Sequence, residues 1–198
     1  VHTGCLMAED SKIPYEIKAG TALLAALGPH KDELSARWIE IVHGTYPFDT
    51  IGFLRTRKDR FANPVGYRTE EAAKAVIDAL FTETPDQEAL SAAVEEIVRV
   101  RAIQDFPPET AVGVFFAIKD VIRDVLRRSA AMAETLPALL AMESRVDAVA
   151  LMAFGAYARC RETLHQLKVD EFKRQHSKIL RLAERKAAKQ SDKADTQN

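Results

Sequence analysis

The chain has 198 residues, 47% of them hydrophobic and 29% charged, with a formal net charge of −1 at pH 7. That length and apolar share suffice for a hydrophobic core and exclude the small scaffolds that depend on disulfides. The near-neutral sum hides an asymmetry: residues 159–198 hold 11 Lys/Arg against 6 Asp/Glu, net +5, so residues 1–158 hold 17 against 23, net −6.

A basic C-terminal stretch can meet nucleic acid, an anionic membrane or an acidic partner. This one lacks the regular aromatic interleaving of a nucleic-acid surface, so it reads as a solvated helix face and nucleic acid is not expected as a partner. Cys5 and Cys160 lie far apart, which fits a reducing compartment, and a cytoplasmic location is expected. The leader Val1 to Asp10 has neither a basic nor an apolar region of the kind a signal peptide needs. The apolar uncharged run Ala148 to Ala158 falls well short of the ~20 residues of a membrane span.

In chain order, residues 1–12 are polar and expected to be disordered, and Pro14 suits the first turn of a short helix ending at Gly28-Pro29. Leu34, Trp38, Ile41 and Val42 then recur at helical spacing, until Tyr46-Pro47 stops the helix. Ile51, Phe53, Leu54 and Phe61 follow an irregular helical pattern, and Asn63-Pro64-Val65-Gly66 is a turn by composition. Thr69 is expected to cap the next helix, with Glu70 and Glu71 in its first turn. After Thr84-Pro85-Asp86 a helix buries Leu90, Val94, Ile97 and Val98. Asp105-Phe106-Pro107-Pro108 restarts the chain into a further helix, with a clean stripe from Ala111 to Leu126.

Beyond Leu136-Pro137 no helix breaker occurs before Gln190. Val169, Phe172, His176, Ile179 and Ala183 alternate at spacings of three and four, a coiled-coil-like pattern over two heptads. The expected fold is therefore all-α: a single bundle of about six to seven helices with a long C-terminal helix. Its expected divisions are a disordered N-terminus at 1–12, a helical regulatory body at 13–164, an extended helix at 165–188 and a disordered tail at 189–198.

Two segments place polar side chains where the pattern calls for core. Arg101 lies seven residues after Val94 and three after Val98, on their inward face, with Asp105 one turn further. Either Arg101 and Asp105 pair within the helix and cover its end, or Arg101, Gln104 and Asp105 meet Arg57, Arg60 and Asn63 in a binding site. Arginine forks in such a site would suit a small anion such as a carboxylate or phosphate. Phe115, Phe116, Phe154 and Tyr157 are either plain core or the lining of a ligand cavity. His43 could serve a haem in a helical domain, yet a lone histidine at a helix end reads as an ordinary surface or capping residue. His165 and His176 are three turns apart, too far to share a metal. The chain lacks C-x-x-C, H-E-x-x-H, G-x-x-x-x-G-K and G-x-S-x-G, so zinc, P-loop and hydrolase readings have no foothold, and no metal, cofactor or enzyme activity is expected.

Arg37-Trp38-Ile39, Tyr46-Pro47, Phe53-Leu54, the run Lys58 to Gly66 and the run Ile97 to Phe106 together resemble the N-terminal domain family of the RsbT co-antagonist protein RsbRD. The resemblance spans about Leu34 to Arg161. It implies an all-helical regulatory input domain, related in role to the non-haem globin-like modules that precede a phospho-responsive STAS domain. Where that output domain would begin, the chain stops, so phosphorylation roles are not carried over. The expected function is a stand-alone regulatory domain acting by protein-protein contact, with Val169, Phe172 and Ile179 on the contact helix and either a protein partner or a homodimer. The rival expectation is a globin-like binder of a small molecule or redox cofactor; an enzyme with scattered catalytic groups stands third.

Overall fold

Prolines and capping residues, more than hydrophobic periodicity, set where the helices begin. The computed structural model describes residues 21–46, 63–128 and 132–195. Its elements are α1 (Thr21–Leu27), one turn of 3-10 helix (Gly28–His30), α2 (Lys31–Gly44), α3 (Pro64–Leu80), α4 (Gln87–Ile103), α5 (Pro108–Arg128) and α6 (Met132–Asp195). No strand occurs among the described residues. The expected count of six to seven helices is corrected: α1 is a two-turn piece running through the 3-10 turn into α2, so five substantial helices, α2 to α6, stand out among the described residues. The all-helical class and the long C-terminal helix are as expected.

The chain divides into two compact units, residues 1–158 and residues 159–198. In the first, α3 packs along α4, with Arg68 and Glu96 3.6 Å apart across the hairpin. α2 packs against both α3 and α5. Trp38 is fully buried, its ring edge-on to Phe115 at 5.5 Å, and its indole N–H donates to the Val114 carbonyl at 2.7 Å. Burying an indole needs such an acceptor, because an unpaired N–H in the core costs about 1–3 kcal/mol. α5 has the most complete apolar stripe, from Ala111 to Leu126.

The Arg145 guanidinium caps the C-terminal end of α3. Its NH2 donates to the Ala79 carbonyl (2.9 Å), which also accepts the Thr82 N–H at 3.2 Å, and to the Thr82 carbonyl (2.6 Å) just past the helix end. Burial pulls this guanidinium below its usual pKa. Towards α5, α6 is fastened by Arg123 to Glu143 at 2.7 Å and Lys119 to Asp147 at 2.5 Å.

Several boundaries differ from expectation. α3 begins at Pro64, so the turn read at Asn63 to Gly66 is the start of the helix, and Thr69, expected as its cap, is a buried residue inside it. α6 begins at Met132 and carries Pro137 in its second turn, where the missing N–H removes one hydrogen bond near an end that already has unpaired donors. The helix also continues to Asp195, past residue 188. In α2 the inward residue is Ile39, while Ile41 is exposed. No described helix is long and apolar enough to cross a membrane.

Candidate functional site

The polar group that departs most from its surroundings is Arg101. α4 turns it inward as its spacing predicts, and it is 0% exposed. Its NH2 donates to Thr45 Oγ1 at 2.7 Å and to the Thr110 carbonyl at 2.9 Å, joining the C-terminal end of α2, the end of α4 and the start of α5. Two aromatic rings cover the guanidinium, Phe106 at 4.6 Å and Tyr46 at 5.6 Å, and those rings meet edge-on at 5.0 Å. Among the described residues Nε and NH1 have no hydrogen-bond partner. Burial lowers the guanidinium pKa, with the Tyr46 phenol opposing that shift. Burial likewise pushes the Tyr46 phenol up, with Arg101 pulling the other way.

Asp105 does not pair with Arg101 within the helix. The helix ends at Ile103, and Asp105 takes a left-handed conformation with φ 58°. The Phe106 N–H donates to the Arg101 carbonyl at 3.1 Å and the Asp105 N–H to the Ala102 carbonyl at 3.3 Å. This is a Schellman cap, with an aspartate where glycine is commonest. The intrahelical alternative fails because the ideal helix it assumed stops two residues early. Gln104 caps the helix and, like Asp105, is exposed. Arg57 and Arg60 lie outside the described residues.

Phe106 is the hub of this end of the body. Its ring covers Arg101, its N–H closes α4, and its carbonyl accepts from the Tyr157 hydroxyl of α6 at 2.7 Å. Tyr157 and Phe115 are core, whereas Phe116 (47% exposed) and Phe154 (52%) are on the surface, so the four do not line one cavity. Sequence reasoning missed Thr45 and Thr110, and it named Tyr157 without its link to Phe106. They act through a hydroxyl or a backbone carbonyl far away in sequence, and only the Tyr46-Pro47 and Phe106-Pro107 breaks hinted at the place.

Elsewhere in the body a groove of about 360 Å³ runs between α2 and α3, lined by Asp32, Ser35, Glu40, His43, Glu70 and Lys74 among others. His43 is buried there, where a surface or capping residue was expected, since it falls one turn after the inward Ile39. Among the described residues no group of three His, Cys, Asp or Glu side chains is placed to hold a metal.

In the second unit, Phe172 (62% exposed) and Ile179 (61%) are open and Val169 is half-buried. The Phe172 and His176 rings lie 4.2 Å apart. These residues fall seven, or three and four, apart along one helix, so they form a continuous face.

The family described as RsbT co-antagonist protein rsbRD N-terminal domain matches residues 32–171. The chain belongs to the RsbRD N-terminal domain family. Comparison with curated proteins and with solved structures finds no match. Residues 32–171 take in both the Arg101 hub and the start of the C-terminal unit, through Phe106, Tyr157 and Val169.

In this RsbRD N-terminal domain, Asn-Pro-Val-Gly is a helix start. Asn63 is buried and its side-chain oxygen accepts from the Gly66 N–H at 2.9 Å, while Pro64 occupies the first turn, where no N–H is needed. A Cβ on Gly66 would come within 2.2 Å of the Asn63 amide. The glycine is there to let the cap approach. Asn63 thus supports the end of the α3–α4 hairpin at which Arg101 is held.

Proposed function

We propose that the chain is a non-catalytic regulatory domain of stress signalling in the cytoplasm, acting through protein-protein contact made by the C-terminal part of α6. The family supports the regulatory part. The observation that carries the contact part is the continuous apolar face with Phe172 and Ile179 more than half exposed. Exposed phenylalanine and isoleucine on one face gain nothing from water, and burying each against a partner is worth about 1.5–3 kcal/mol. The body has its own core and caps, so the contact can change without unfolding it.

The test is capture from native lysate by the wild type and by the Phe172→Asp, Ile179→Asp double variant, alongside thermal melting of both. A partner held by the wild type and lost by the variant, with melting temperatures equal within error, is the expected outcome. Equal capture by both proteins would contradict the reading.

A second reading, uptake of a small anion by the body, is favoured by the Arg101 atoms Nε and NH1, buried with no hydrogen-bond partner among the described residues. A buried charge lacking compensation is costly, and a carboxylate or phosphate beside it would supply hydrogen-bond acceptors and charge. Under this reading acetate or inorganic phosphate raises the melting temperature of the wild type and leaves that of Arg101→Met unchanged. An equal shift in both proteins, or none in either, refutes it.

A further inference from the structure

The apolar face of α6 is bordered by charge, and the border says what covers it. With Val169 and His176 at one core position of the heptad and Phe172 and Ile179 at the other, Lys168 and Lys173 fall on the two flanking positions. Neither lysine forms an ion pair among the described residues. The acids of this stretch are already engaged within the helix: Glu171 pairs with Arg174 at 3.1 Å and accepts from Gln175 at 3.1 Å, and Asp170 accepts from Gln166 at 3.0 Å. Residues 161–181 hold six Lys/Arg against three Asp/Glu. The face therefore offers an apolar seam between unpaired cations.

A second copy of this chain is a poor occupant. In a parallel pair, each Lys168 would face Lys173 of the other helix, since flanking side chains meet across the seam in that register. In an antiparallel pair that sets Phe172 against His176, the two Lys173 side chains would meet each other. Both arrangements place like charges together, and the acids that could relieve them point away from the seam.

We propose that the face formed by Val169, Phe172, His176 and Ile179 is a docking site for an amphipathic helix of another protein whose apolar stripe is flanked by Asp or Glu. This rests on the reading that α6 is the contact element and adds the chemistry of the partner. Leucine or isoleucine on the partner covers Phe172 and Ile179, and its acids pair with Lys168 and Lys173. The Phe172–His176 ring contact fills the centre of the face.

The experiment measures binding of the full chain to two labelled synthetic helices of several heptads, both with Leu at the core positions, one with Glu and the other with Lys at the flanking positions. The Glu-flanked peptide should bind about tenfold more tightly, the effect of two attractive pairs replacing two repulsive ones. Lys168→Glu with Lys173→Glu should reverse that order, Phe172→Asp should abolish binding of both peptides, and a scrambled Glu peptide of the same composition should not bind. Equal affinity for the two peptides, lost in Phe172→Asp, overturns the acidic partner while leaving the contact face intact. Binding of neither peptide overturns the face as well. Binding of the scrambled peptide as tightly as the ordered one overturns the proposal by showing diffuse charge attraction only. Dimerisation of the wild type that Phe172→Asp removes overturns it in favour of a second copy.

Discussion

Asn63, Gly66 and Arg101 show how a single side chain was read from sequence, and where that reading stopped. Arg101 was legible as inward-facing because helix geometry alone puts it with Val94 and Val98. Its partners Thr45 and Thr110 were not, since nothing in a local pattern marks a hydroxyl or a carbonyl that meets it from another helix. Asn63-Pro64-Val65-Gly66 was misread as a turn because caps and turns use the same residues for the same reason, a side-chain oxygen that accepts a nearby backbone N–H. Gly66→Ala tests the corrected reading. Alanine favours a helix interior by about 1 kcal/mol, yet here its Cβ would displace the Asn63 amide. Loss of a buried cap should outweigh that gain, giving a net destabilisation of about 1–2 kcal/mol in denaturant melts, whereas a stabilised variant would show that Asn63 moves aside freely. At Arg145, Arg145→Met should cost about 1–3 kcal/mol, because the Thr82 carbonyl loses its guanidinium donor and the Ala79 carbonyl keeps only the Thr82 N–H. An unchanged midpoint would mean that water replaces the guanidinium.

Among the elements, α2 and α5 are joined by a charged clamp at the edge of their apolar contact. Arg37 donates to Asp124 at 2.6 Å, and Arg128 donates to Glu33, which also lies 3.7 Å from Arg37. The hydrogen bond from Arg128 holds the Glu33 carboxyl below the ordinary carboxylate range, and that from Arg37 does the same for Asp124. A depressed folded-state pKa contributes stability that is fully present above the unfolded value and is lost as pH falls through the folded one. The clamp should therefore weaken only in acid, below roughly pH 4. Arg37→Ala with Arg128→Ala should flatten the dependence of the melting temperature between neutral pH and about pH 3, and curves that stay parallel would show that these pairs contribute nothing. The helix boundaries were less legible than the helices. Pro137 reads as a breaker on its own, and only the structure shows it inside the second turn of α6, near an end whose donors are unpaired in any case. Asp105 was lost in the same way, because α4 ends in a left-handed cap that an ideal helix does not contain.

For the whole molecule, the all-helical class followed from periodicity that persists with no alternating segment, and the family followed from motifs whose described residues include the Asn63 cap, the Tyr46 and Phe106 rings around Arg101, and the helix end at Asp105. What those motifs build is one braced end of the body, where Tyr157 of α6 is tied to Phe106. The face proposed for contact lies in the other compact unit, and its seam was legible because an apolar repeat at spacings of three and four needs no tertiary context. Its occupant was not legible at that level, since the unpaired lysines emerge only once the intrahelical pairs of Glu171 and Asp170 are placed. Hydrogen exchange of the full chain, free and bound to its captured partner, tests this account most directly. New protection concentrated in residues 165–181, with little change in α2 to α5, is the predicted result. Protection confined to the groove between α2 and α3, with 165–181 exchanging as in the free chain, would contradict it.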